Sequence, residues 1–424
     1  VEPIKPKHNK IKYLVNTKIN KIMQNLNKPG FEHTWRWFGP NDRITLDQIR
    51  QTGATGIVTA LHQVPVGEVW TLEAIQERKA LIEKHDLTWA VVESVPVSEA
   101  IKKQKNNYKE HIENYKQTLS NLAQCGIYTV CYNFMPVLDW SRTNLALTYP
   151  DGSQSLMYVY HVFAAFDLFI LKRQNAASDY SQEVIDQATK YFGSLNEDQK
   201  AELQNTILLG LPGSLEAYTL EAFQASLDEY RHINKDKLRE HLIYFLREIT
   251  PVAEHKGVKL AIHPDDPPWA QLGLPRIVTG YDDLKYILNE VNSPANGITL
   301  CTGSLGAGYD NDLVKMANEF ADRIHFAHLR NVTRDVDRNF MENNLFDGDV
   351  DILNVASLLI KESIRRKSQE HSDYKIPIRP DHGFQMLGDI GLDNYPGYGL
   401  YGRMKSLAEI RGMELGLLTS FNKQ

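Results

Sequence analysis

Four residues set far apart in the chain, His263, Cys301, His328 and Asp381, are of the types that hold a borderline-soft divalent cation. A thiolate, two imidazoles and a carboxylate suit Fe2+, Mn2+ or Zn2+ better than Mg2+ or Ca2+, which favour oxygen ligands. Singly, each has an ordinary reading: a hydrogen-bonded core histidine, a small buried thiol, a turn aspartate. What sets them apart is position. Each closes or directly follows a short apolar run: "LAIH", "ITLC", "FAH" and "IPIRPD".

Other reactive types gather at similar places. "RPDHG" sets His382 directly after Asp381, where an imidazole titrating near neutrality can move protons. "PGYGLYGR" brings Tyr398 and Arg403, and a phenol near a cation can also carry a proton. "TWRWFGPND" wedges Arg36 between two tryptophans, and a guanidinium can grip a substrate carboxylate at two points. His62 and Asn133 end two further apolar runs and are assigned to the substrate wall, Asn133 for a hydroxyl. In "HPDDPPW" the prolines stiffen the backbone behind His263. Asp265 and Asp266 are read either as acceptors behind the imidazole or as substrate contacts, Asp265 being assigned to substrate. "RIHFAHLR" holds two histidines of opposite parity, so His325 is expected to face a helix layer and His328 the ligand side.

These residues need a scaffold that brings eight chain segments to one rim. Eight β-prone runs alternate with stretches of helical period: 33–38, 56–60, 87–93, 127–133, 258–263, 297–301, 323–329 and 376–381. That rhythm predicts an α/β protein, a closed (β/α)8 TIM barrel, whose strand tips converge on one face. "TLDQIRQTG" illustrates the helix signals, with a capping Thr45 and a terminating Gly53. Residues 141–246 break the rhythm and are expected to form a helical insertion between the fourth and fifth strands, within one catalytic domain over 31–424. Residues 1–30 carry seven lysines against one acid, Glu2, and are read as a disordered or loosely docked extension.

Composition narrows the class. Of 424 residues, 42% are hydrophobic and 24% charged, as in a globular protein with an ample core. A net charge of −6 without a basic face counts against nucleic acid as partner. No window approaches the roughly 18 apolar residues of a membrane span. Three cysteines, Cys125, Cys131 and Cys301, do not make a disulfide framework, and a cytoplasmic location is expected.

The segments "TWRWFGPND", "VVESVPV", "NFMPVLDWSRT", "HPDDPPWAQLGLPRIV", "NGITLCTGS", "GDVD" and "RPDHG" together resemble the mannonate dehydratase family over nearly the whole chain beyond the lysine-rich start. The resemblance implies a lyase on a (β/α)8 barrel, removing water from D-mannonate to give 2-dehydro-3-deoxy-D-gluconate in hexuronate breakdown. It implies one Mn2+ or Fe2+ per subunit, held by His263, Cys301, His328 and Asp381. It implies catalytic roles for His382 and Tyr398. A small sugar acid is then the partner, and a homo-oligomer, dimer or higher, is expected. The family pattern leads to a histidine three residues before Gly348, where this chain has Leu345. A sugar isomerase on the same barrel would call instead for a carboxylate-rich, often two-metal set.

Overall fold

The computed structural model describes residues 28–209 and 219–421. Residues 1–27, most of the lysine-rich segment, lie outside them. Among the described residues twelve strands form two sheets: β1 (Phe31–Arg36), β2 (Gly56–Thr59), β3 (Thr88–Glu93), β4 (Thr129–Tyr132), β5 (Asn144–Thr148), β6 (Gln154–Tyr158), β7 (Lys259–Ile262), β8 (Asn296–Cys301), β9 (Ile324–His328), β10 (Asn331–Arg334), β11 (Phe340–Asn343) and β12 (Ile376–Arg379). Eight of them close a parallel barrel in the order β1-β12-β9-β8-β7-β4-β3-β2, and these are the eight runs expected from the sequence.

The barrel strands are buried on both faces, which is why they read as apolar runs rather than alternations. Their two faces nevertheless differ. Val58, Val91, Cys131, Ala261 and Phe326 form a small cluster of their own, the filling of the barrel. Their chain neighbours Ile57, Val92, Val130, Leu260 and Ala327 belong to the large layer between strands and helices. Because side chains alternate, stepping two residues from the filling toward the C-terminal end lands on Glu93, Asn133, His263 and His328. The same parity puts Cys301 inward, since Ile298 and Leu300 are in the outer layer.

The first helix, Leu46–Gln51, starts as its sequence dictates: Thr45 and Gln48 form a reciprocal capping box. Gly53 follows with φ +89°, a conformation that costs a residue with a Cβ.

Residues 141–246 are not helical from their start. They open with a hairpin, β5 and β6, joined through a turn at Asp151 and Gly152. This hairpin pairs with the β10–β11 hairpin in an antiparallel sheet of order β10-β11-β6-β5. The sheet is stitched to the loop after β12 by paired main-chain bonds between Gln154 and Gln385. Helices Tyr160–Ala165, Gln182–Ser194, Glu197–Leu208 and Leu220–Asp228 follow. The last helix, Lys235–Lys256, packs on Tyr108–Gln124 and leads into β7. Among the described residues no helix is long and apolar enough to cross a membrane.

Candidate active site

The C-terminal rim of the barrel holds a cavity lined in part by Arg36, Asn133, His263, Arg379, Asp381, His382 and Tyr398. Beneath it, donor atoms of His263, Cys301 and His328 lie within 4.8 Å of one another. The Asp381 Oδ2 atom stands 3.7 Å from the Cys301 Sγ and 3.9 Å from the His328 Nδ1. Strand parity and register make this convergence: Cys301 and His328 are paired neighbours across β8 and β9.

An acceptor beside each imidazole suits it to be a ligand. The His263 Nδ1 lies 2.7 Å from the Pro264 carbonyl, an acceptor, so it carries the proton and Nε2 presents a lone pair. The His328 Nε2 faces the Glu93 Oε1 at 3.4 Å, which leaves its Nδ1 as the other lone pair. Those two nitrogens face each other at 3.2 Å. Two lone pairs so close, with a cysteine sulfur beside them, fit a shared cation. Two nitrogens each about 2.1 Å from one ion would stand roughly 3.0–3.4 Å apart.

A lattice of buried charge surrounds the set. Arg379 makes two 3.0 Å bonds to the Glu93 carboxylate and also reaches Asp381. Arg330 touches Asp381 at 2.9 Å, Asp266 at 3.1 Å and Glu342 at 3.4 Å. Arg142 holds Asp266 at 2.7 and 3.1 Å and meets Glu342 at 3.4 Å. Burial pushes each of these carboxyls up, and the arginines more than reverse it. Asp381 and Glu93 end well below the usual carboxylate range, and Asp266 and Glu342 also fall below it.

His382 and Tyr398 stand edge to face, ring centres 5.2 Å apart, over this lattice. The Tyr398 hydroxyl donates to the Asp381 Oδ1 at 3.4 Å. Burial first, and Asp381 second, push its phenol above the ordinary value. Burial lowers His382 despite the pull of Asp381. The His382 Nδ1 lies 3.0 Å from the Glu342 Oε1 and within reach of the Arg330 guanidinium. Arg36 donates to the Glu93 carbonyl and stacks on the Phe38 ring at 4.8 Å.

Three residues assigned to substrate are placed elsewhere. Asp265 accepts from the Ile277 and Val278 amides at 2.8 and 2.9 Å and ties down the loop after β7. Arg403 spends its donors on the carbonyls of Arg36, Tyr398 and Gly399, bracing both ends of the rim. His62 sits behind Arg36, 3.4 Å from its Nη2, and burial beside Arg36 and Arg78 lowers it to about 3. None of the three is on the cavity wall. His325 faces the helix layer as its parity demands, with Nε2 3.0 Å from the Pro294 carbonyl. Leu345 is buried in the apolar layer and its carbonyl anchors the Asn331 amide.

The residues not foreseen are Arg142, Arg330, Glu342 and Arg379, and with them the network that joins Glu93 and Asp266. Glu93 and Arg379 carry a signal in strand parity. Arg142 and Glu342 do not, since the antiparallel sheet that delivers them is not visible as such in the sequence.

The sequence profile of the family described as "D-mannonate dehydratase (UxuA)" matches residues 31–424. The mannonate dehydratase of Marinomonas sp. (strain MWYL1) is 57% identical over 387 residues, 91% of this chain and 99% of the relative. That of Chromohalobacter salexigens is 52% identical over 91% of this chain and 98% of its own length. Among solved structures, mannonate dehydratase from Streptococcus suis serotype2 superposes with a TM-score of 0.73 at 34% identity, covering 92% of this chain and 95% of that one.

Proposed function

The chain belongs to the D-mannonate dehydratase family, and from that premise we propose how its site removes water from D-mannonate. The observation that carries the reading is the facing pair of imidazole nitrogens beside Cys301 and Asp381, set under a cavity that His382 and Tyr398 enter.

The reaction takes a proton from C2 of the acid and expels the hydroxyl from C3, giving 2-dehydro-3-deoxy-D-gluconate, a step that belongs to hexuronate breakdown. The C2 proton is weakly acidic, and negative charge grows on the adjoining carboxylate as it leaves. His263, Cys301, His328 and Asp381 would hold one divalent ion, Mn2+ or Fe2+, which when bound would supply charge stabilisation at that carboxylate. Arg36, on the same wall, orients the substrate. Asn133 bonds a hydroxyl. Tyr398 and His382 share the two proton movements, one at C2 and one at the departing C3 oxygen. Their supports are their shared place on the wall and the fixed direction of each: Tyr398 by Asp381, His382 by Arg330 and Glu342.

The test is an assay of Mn2+- or Fe2+-reconstituted protein with D-mannonate and its C2 and C3 epimers, reading the 2-keto acid. Formation of that product from D-mannonate is expected. Conversion of an aldose to a ketose with no product from D-mannonate would overturn the reading in favour of an isomerase.

A further inference from the structure

Among the acidic side chains on the cavity wall, Asp139 is the odd one. Glu93, Asp266 and Asp381 each have an arginine within ion-pair distance. Among the described residues no lysine, arginine or histidine nitrogen lies within 4.0 Å of the Asp139 carboxylate, and Asn133 lines the same cavity. The cations nearest in effect, Lys102 and Arg276, make the hydrogen bonds they have to other groups. Lys102 bonds the Met135 carbonyl at 2.7 Å and Glu99 at 2.9 Å. Arg276 bonds the Leu138 carbonyl at 2.9 Å.

A half-buried carboxylate without a counter-ion is costly unless something else satisfies it. It repels an anion and accepts hydrogen bonds from hydroxyls, two at a time if they are adjacent. A sugar acid has both ends: a carboxylate, and a chain of hydroxyls beyond the reacting carbons. On the cavity wall Arg36 suits the first, and Asp139 with Asn133 suits the second.

We propose that Asp139 is a specificity residue whose carboxylate accepts hydrogen bonds from the substrate hydroxyls beyond C3 and so fixes which way the aldonate enters. The assignment rests on the dehydratase reading. It is tested with Asp139→Ala and the isosteric Asp139→Asn in metal-reconstituted protein. KM and kcat are measured for D-mannonate, and a competitive inhibition constant for L-glycerate. L-Glycerate keeps the carboxylate, the C2 configuration and a C3 hydroxyl but has no hydroxyl beyond. Asp139→Ala is expected to raise KM for D-mannonate by about tenfold or more, and Asp139→Asn by less, with L-glycerate inhibition unchanged in both. An unchanged KM in Asp139→Ala, or equal weakening for the two ligands, overturns the proposal. Absence of product from D-mannonate with the wild type would instead sink the dehydratase reading, and calorimetric titration of the same proteins with D-mannonate and L-glycerate still decides the role of Asp139.

Discussion

The Nε2 of His263 and the Nδ1 of His328 face each other at 3.2 Å, each turned that way by an acceptor on the far side of its own ring. Without a positive charge between them this is a repulsive arrangement, so ion binding should stabilise the fold. Adding Mn2+ to chelator-treated protein at about 100 times its dissociation constant should raise unfolding free energy by about 2.7 kcal/mol. Cys301→Ala and His328→Ala should lose most of that gain and most bound metal by elemental analysis. An unchanged melting temperature on adding Mn2+ or Fe2+ to the wild type would refute the assignment.

His382 and Tyr398 divide two proton transfers, and isotope exchange separates them. In D2O, the variant that lacks only the acid still exchanges the C2 hydrogen of D-mannonate while forming little product. The variant that lacks the base does neither. His382→Asn and Tyr398→Phe should each lower kcat by about 100-fold or more with metal content retained. Normal turnover in either one removes that residue from the mechanism.

Arg330 is nearly inaccessible and touches three carboxylates, Asp266, Asp381 and Glu342. Arg330→Met leaves them facing one another in a buried space, at a cost of about 3–5 kcal/mol. Arg330→Lys keeps the charge but not the planar fork, so it should recover only part of the loss. Chemical denaturation of the three metal-free proteins measures this directly. Equal stability of Arg330→Met and wild type would show that the carboxylates find other partners.

His325 bears on stability against pH. Burial first, then Lys259 and Arg366, hold it well below the ordinary value of 6.5. The folded protein thus keeps this ring neutral at a pH where the unfolded chain takes up a proton. Its contribution is complete above about pH 6.5 and is lost progressively as pH falls below that value. Melting temperatures between pH 7.5 and 5.5 should fall more steeply for the wild type than for His325→Gln, whose amide can still donate to the Pro294 carbonyl. Parallel curves would rule the effect out. His62, lowered to about 3, adds to the slope that remains.

Much of this was legible in the sequence because barrel strands leave a strong trace. All eight runs became strands, and the residues at their ends, His263, Cys301, His328 and Asp381, came together from positions as far as 118 apart in number (263 to 381). The antiparallel sheet was not legible. Its strands are short, and β5 alternates exposed with half-buried residues, so no run of hydrophobic residues announces it. The substrate assignments of Asp265 and Arg403 show a second limit. An aspartate beside a ligand histidine and an arginine in a glycine-rich loop look reactive by type. Whether such a side chain meets solvent or backbone amides and carbonyls depends on loop packing that spacing does not encode.

The sheet β10-β11-β6-β5 has a consequence for how the molecule comes into being. Its two hairpins leave the chain at different points, one after the fourth barrel strand and the other after the seventh, and they join through β6 and β11. Arg142 precedes the first and Glu342 belongs to the second, so the counter-charges that meet around Arg330 and His382 are delivered by halves made at separate times. A nascent chain emerging from the ribosome therefore has three of the four proposed cation ligands in hand before the roof's second hairpin is made, while the fourth arrives after it, together with the strand that closes the barrel.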